Sequence, residues 1–290
     1  MKLQGTITAL ATPFNADGSV DWGALKALVA WQVENGVDGI VPVGTSGESP
    51  TLDHEEHLKV IEAVIAEAAG QVKIIAGTGA NSTREALHLT EEVIKMGGAD
   101  ATLQVSPYYN KPNAEGMYRH FAAVADLGLP VVLYNVPGRT GKEIPLDVVV
   151  RLAAHPKVAA IKEAAGSVER VSAIKDRCKL TVLSGDDSLT LPMISVGASG
   201  VISVASNVIP HEMSEFVNTA LAGDMIGARL MHERLYPLFK NLFIDSNPIP
   251  VKEALAMMGR IKPGFRLPLC ETTEANRAII RDTLRRLHLI

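Results

Sequence analysis

A lysine at the end of an apolar run is the residue best suited to chemistry in this sequence. Lys162 follows Val158-Ala159-Ala160-Ile161 and precedes Glu163-Ala164. Inside a central strand its ammonium would be removed from water. Desolvation favours the neutral amine, which attacks carbonyl carbon and forms Schiff bases. Taken alone, the segment also fits a strand-end lysine that reaches solvent or pairs with Glu163. Tyr134 lies in a second apolar run, Pro130–Val136. A phenol there can relay the protons that carbinolamine formation and dehydration require; the other reading is a core aromatic with a satisfied hydroxyl. Tyr108 and Tyr109, adjacent before Asn-Lys-Pro, cannot both face one core, so one of them is expected to point at the site or at a partner subunit.

The turn Gly44-Thr45-Ser46-Gly47 offers hydroxyls and backbone N–H groups with little bulk, which suits a small carboxylate. An ordinary βα turn is the alternative. No Gly-Lys-Ser/Thr ending makes it a phosphate loop, and Gly77-Thr78-Gly79-Ala80-Asn81 lacks the third glycine of a dinucleotide fingerprint. His54 and His57 do not have the HExxH spacing of a zinc helix. Asp186-Asp187 reads as a helix N-cap followed by a first-turn carboxylate rather than as a metal pair. With neither metal nor cofactor motif, carbanion chemistry would need an electron sink made by the protein, and an iminium on Lys162 is one.

Eight short apolar runs must position these groups: Ile7–Pro13, Gly39–Gly44, Lys73–Thr78, Ala101–Ser106, Pro130–Val136, Val158–Glu163, Leu180–Ser184 and Gly200–Ala205. Their nearly continuous apolar character is that of parallel strands covered on both faces. Amphipathic stretches alternate with them. Asp53 with Glu56 and Ser82 with Glu85 are expected capping pairs, and Pro145 and Pro210 stand where helices would begin. Eight strands in βα alternation predict an α/β fold, a (β/α)₈ barrel over residues 1–223, with an open doubly wound sheet as the alternative. Residues 224–290 read as a C-terminal helical appendage. In such a barrel the site lies at the C-terminal ends of the strands, where Lys162, Tyr134, Thr45 and Asp186 all fall.

The net charge of −4 and the lack of any Lys/Arg-rich run predict no nucleic-acid partner. The first ten residues are interrupted by Gln4, Gly5, Thr6 and Thr8, so neither a signal peptide nor a membrane span is expected, and the chain is read as cytoplasmic. Cys178 and Cys270 belong to no CxxC motif and are expected to be buried free thiols.

In this order and on successive strands, GTSGE, SPYYNKP, YNVPGRTG, IKEA, SGDD and GVISV closely resemble the dihydrodipicolinate synthase family, and NPIPVK (Asn247–Lys252) carries the resemblance into the appendage. The resemblance implies a cofactor-free, metal-free lyase. Lys162 would condense with pyruvate, and the resulting enamine would attack aspartate 4-semialdehyde. It also implies a proton relay of Thr45, Tyr134 and Tyr109, with Tyr109 contributed across a tight dimer interface, and a dimer of dimers as the assembly. Ser46, Gly185 and Ile202 match positions around the pyruvyl group. Arg139 matches the residue that holds the semialdehyde carboxylate, a role that its planar guanidinium suits independently.

Ser49, His54, His57, Asn81, Glu85 and Tyr108 resemble the family's lysine-feedback site. Pro50, in place of the common alanine, removes an N–H there and leaves inhibition by lysine an open expectation. A sister pyruvate lyase, of the N-acetylneuraminate lyase or keto-deoxy-sugar aldolase kind, would share Lys162 and Tyr134. Arg139 within Gly-Arg-Thr-Gly argues against it, since a polyol chain has no need of a guanidinium at that mouth.

Overall fold

The computed structural model describes residues 3–290. Met1 and Lys2, part of the N-terminal segment read above, lie outside the described residues. The chain begins with β1 (Gly5–Ala9), α1 (Trp22–Glu34), β2 (Gly39–Val41), α2 (His54–Ala68), β3 (Lys73–Gly77) and α3 (Thr83–Met96). It continues through β4 (Ala101–Val105), α4 (Ala114–Asp126), β5 (Val131–Asn135), the short α5 (Pro137–Thr140), α6 (Leu146–Ala153) and β6 (Val158–Glu163). Next come α7 (Val168–Arg177), β7 (Thr181–Ser184), α8 (Thr190–Ser195), β8 (Gly200–Ser203) and α9 (Pro210–Leu221). Helices α10 (Met225–Asn241), α11 (Ile249–Met257) and α12 (Glu274–Arg286) complete it.

The strands pair in sequence order, all parallel, and β8 pairs back onto β1 to close an eight-stranded barrel. The closure seam pairs Gly5 with Gly200. A Cβ on Gly200 would stand 2.1 Å from the Gly5 carbonyl oxygen, and its φ of 152° is open to glycine, so only glycine lets the two edges meet here. Strand periodicity divides each strand's side chains between two cores. Ile7, Val41, Ile75, Leu103, Val132, Tyr134, Leu183 and Ile202 fill the barrel interior. The outward residues pack under the helices, where Leu133, Ile161 and Val182 join Phe121, Val149 and Phe216. Leu235, Leu238 and Phe239 of α10 and Val251 and Ala254 of α11 belong to that same cluster, so the C-terminal helices share the barrel's apolar core.

Local chemistry accounts for where the elements start and stop. Asp53 accepts the Glu56 N–H at 2.8 Å and caps α2, as its sequence predicts. The predicted capping box at Ser82 and Glu85 does not form: the Ser82 side chain makes no cap bond, and Glu85 turns to His54 at 2.8 Å. Strands β1 and β2 stop furthest short of their apolar runs. Pro42 has no N–H to extend the β2 ladder, and Val43 turns away at φ 53°. After Ala9 the Ala11 N–H is taken by the Asn207 side chain at 3.0 Å instead of by a strand. The expected buried thiols need correction as well, because Cys270 is exposed and Cys178 only half-buried; both are free. Among the described residues no helix is long and apolar enough to cross a membrane.

Candidate active site

Lys162 is inward-facing on β6 and 5% exposed, despite being a lysine. The β5–β6 register sets Tyr134 directly opposite it. Alternation does the rest: Lys162 and Tyr134 point into the barrel while Glu163 and Asn135 point outward. Lys162 Nζ lies 4.4 Å from the centroid of the Tyr134 ring. Glu163, far from pairing with Lys162, is held on the opposite face by the Arg170 Nε at 2.7 Å, the Asn135 Nδ2 at 2.8 Å and the Ala165 N–H at 3.0 Å. The amine is therefore left facing the barrel mouth.

A cavity of about 70 Å³ opens there, lined by Lys162, Tyr134, Thr45, Ser46, Gly185, Asp186, Arg139 and Asn247 among others. That is space for a molecule of a few heavy atoms, not for a nucleotide. Burial raises the Asp186 carboxyl above its ordinary value, and the Lys162 charge works in the other direction. As the sequence suggests, Asp187 is a first-turn carboxylate, of a short 3₁₀ turn (Asp187–Leu189) for which Asp186 is the N-cap residue, though the Asp186 side chain makes no cap bond. Asp187 is 2% exposed and accepts from the Ser203 hydroxyl at 2.5 Å and the Ala205 N–H at 2.9 Å, fixing the exit of β8 beneath the site.

Thr45 and Ser46 reach the cavity on a turn closed by Gly47 N–H to Gly44 O at 3.1 Å and Glu48 N–H to Thr45 O at 3.1 Å. Ser46 is buried, and its hydroxyl accepts from Asn247 Nδ2 at 3.1 Å. Arg139, exposed at the rim on α5, donates through Nη2 to the Asn247 carbonyl at 2.9 Å. Asn247 thus ties the turn to the arginine from a segment that follows α10. Sequence spacing gave it no site role, because its partners lie 201 and 108 residues away.

A larger cavity of about 790 Å³ adjoins the first and shares Thr45, Tyr134 and Arg139 with it. Ser49, Pro50, His54, His57, Glu85 and Tyr108 line its outer part. His57 is 5% exposed and donates through Nε2–H to the Gly77 carbonyl at 2.7 Å. Burial lowers its pKa, which keeps the ring neutral. Asn81 stands at the edge, donating to the Tyr108 carbonyl at 3.3 Å and accepting from Asn110 Nδ2 through its own carbonyl at 2.8 Å.

Two of the sequence-selected residues stand apart. Ile202 is fully buried in the barrel interior, in the same apolar cluster as Tyr134, rather than on the cavity wall. Tyr109, at φ 69° and 91% exposed, projects away from its own chain's cavity. A tyrosine that apolar and exposed is a candidate for contact with another surface.

A family model described as the dihydrodipicolinate synthetase family matches residues 2–287. A protein of Hydrogenobaculum named 4-hydroxy-tetrahydrodipicolinate synthase is 51% identical over 291 residues, covering 99% of this chain and 100% of its own. The crystal structure of dihydrodipicolinate synthase from Aquifex aeolicus is similar at 49% identity with a TM-score of 0.97, covering 99% of both chains. That of the synthase from Cyanidioschyzon merolae with lysine bound is 40% identical with a TM-score of 0.96, also over 99% of each.

Proposed function

The chain belongs to the dihydrodipicolinate synthetase family, and we propose that its barrel-mouth cavity performs that family's condensation through an imine on Lys162. The activity is that of a 4-hydroxy-tetrahydrodipicolinate synthase, which joins pyruvate to L-aspartate 4-semialdehyde in lysine and diaminopimelate biosynthesis. The observation that carries the mechanistic reading is the buried Lys162 amine set 4.4 Å from the Tyr134 ring in a cavity shared with Thr45 and Ser46.

The amine adds to the keto carbon of pyruvate, and the carbinolamine loses water to give an iminium. That iminium draws electrons from the methyl carbon, whose proton leaves to form the enamine. The enamine carbon then attacks the aldehyde carbon of the semialdehyde. The semialdehyde's own amine displaces the lysine, which closes the ring and returns Lys162 free. Tyr134 is near enough to pass the protons, with Thr45 as the next member of the relay. Tyr109, projecting from the surface, is assigned to the relay of a second copy, so the working unit is a tight dimer, paired again as a dimer of dimers. Ser46 and Gly185 are assigned to the pyruvyl group, with Ile202 contributing from the packed barrel interior below the cavity. Arg139 at the rim is assigned to the semialdehyde carboxylate, which its guanidinium can bind bidentately.

The larger cavity is assigned to lysine through Ser49, His54, His57, Asn81, Glu85 and Tyr108. Glu85 beside His54 supplies negative charge for an ammonium. A biosynthetic enzyme acting on small dissolved acids is placed in the cytoplasm. Purified protein given pyruvate and aspartate semialdehyde, and separately N-acetylneuraminate, tests the substrate assignment: turnover is expected with the first pair alone, and cleavage of the sugar acid instead would make the chain a sister lyase.

A further inference from the structure

The Thr45–Ser46 turn is gripped from its far side by an ion pair that touches neither cavity. Glu48 closes the turn in the left-handed region, at φ 53°, an unfavourable conformation for a residue with a side chain unless its surroundings hold it. Its carboxylate is 1% exposed. One oxygen pairs with Lys252 Nζ, itself 1% exposed on α11, and the other accepts the Arg266 backbone N–H at 3.3 Å. The Lys252 ammonium also sits 4.2 Å from the centroid of the Phe14 ring. Burial lowers the Lys252 pKa and the Glu48 carboxylate opposes that shift, as expected for a charge kept in place by one partner. Glu48 in turn braces the loop on both sides: its N–H donates to Thr45 O at 3.1 Å, and its carbonyl accepts the Thr51 N–H at 3.0 Å. Helix α11 and the residues before it therefore hold the turn twice, at Ser46 through Asn247 and at Glu48 through Lys252.

We propose that Glu48 and Lys252 are positioning residues for the condensation, setting Thr45 and Ser46 against the pyruvate end of the site, so that the C-terminal helices are a working part of the catalytic unit. The inference rests on the roles assigned above to Thr45 and Ser46. A buried ion pair is a poor source of stability compared with apolar residues of similar volume. What it provides instead is direction, because each carboxylate oxygen is aimed at its own donor.

The test compares Lys252→Met, the double variant Glu48→Met with Lys252→Met, and Glu48→Gln, with Thr45→Val assayed beside them. Lys252→Met leaves a buried carboxylate without its cation and should lower Tm. The double variant removes both charges, so its Tm should return toward the wild-type value even if the single variant does not fold. Its kcat and its pyruvate KM should stay impaired, with kcat/KM for pyruvate down roughly ten- to hundredfold, the scale of a misplaced reacting group. Glu48→Gln, which can still accept from Lys252, should recover most of that loss. Rates in the folded double variant equal to wild type, or rates that follow Tm across the series, would overturn the proposal while Thr45→Val remains slow. Wild-type turnover by Thr45→Val would instead overturn the reading of the turn, and the proposal with it.

Discussion

Gly185→Ala probes how tightly the lysine is placed. Gly185 follows β7, and a Cβ built on it would lie 2.6 Å from the Ala164 Cβ, 3.1 Å from Lys162 Cε and 3.2 Å from the Glu163 carbonyl oxygen. Carbon atoms in contact prefer roughly 3.5–4.0 Å, so about 1 Å of movement must be found. Ala164 is joined to the strand that carries Lys162, and the lysine stem is the softest of the three neighbours. The methyl group should therefore push Lys162 off its line. Overpacking of this kind costs about 1–3 kcal/mol of stability, and a displacement of about 1 Å at the reacting nitrogen slows turnover by roughly 10²-fold. Thermal unfolding would measure the first effect. The rate of pyruvate adduct formation under borohydride, followed by intact mass, would measure the second. Adding Ala164→Gly removes the closest clash, so stability should return while the 3.1 Å contact with Lys162 still holds the rate down in part. A Gly185→Ala enzyme that traps pyruvate and turns over at the wild-type rate would refute the claim that this wall positions the amine.

Arg139→Ala should raise the KM for aspartate semialdehyde about 10- to 100-fold, as expected for losing charge-assisted hydrogen bonds worth roughly 1.5–3 kcal/mol, with the rate of pyruvate trapping little changed; an unchanged semialdehyde KM in steady-state kinetics would refute its assignment. His120 is 3% exposed, with Nδ1 at 2.9 Å from the Thr83 hydroxyl, and burial lowers its pKa to about 4. Between pH 6.5 and 4 the unfolded chain binds a proton there that the folded one does not, so folding stability falls as pH falls through this window. The loss from this residue amounts to about 3 kcal/mol. Denaturant titrations of wild type and His120→Gln at pH 7 and pH 4 should show the wild type losing about that much more than the variant, and equal losses would remove His120 as the cause.

The parts of this molecule legible in its sequence are those governed by short-range periodicity. The apolar runs located the eight barrel strands because parallel strands are covered on both faces. Which way Lys162 and Glu163 face was left open by the nearly continuous apolar run, and the β5–β6 pairing settles it, with Lys162 and Tyr134 inside and Glu163 outside. Strand ends were less legible, since a side chain from a distant segment, Asn207, takes over the ladder after Ala9. The Ser82–Glu85 box was misleading, because Glu85 has a better partner in His54, which belongs to another helix. Asp187 is the first-turn carboxylate its sequence suggests, but its commitment to Ser203 and Ala205 was not legible, and Glu48, Asn247 and Lys252, though they stand in the motifs of the resemblance, drew no site role. Their partners are set by closure of the barrel and docking of α11, which no local spacing records.

The most direct measurement is borohydride reduction of the protein in the presence of pyruvate, followed by peptide mapping. A single carboxyethyl group on Lys162, absent when pyruvate is omitted and absent in Lys162→Ala, is the expected outcome. No adduct, or an adduct on a different lysine with Lys162 unmodified, would contradict the imine at the centre of the account.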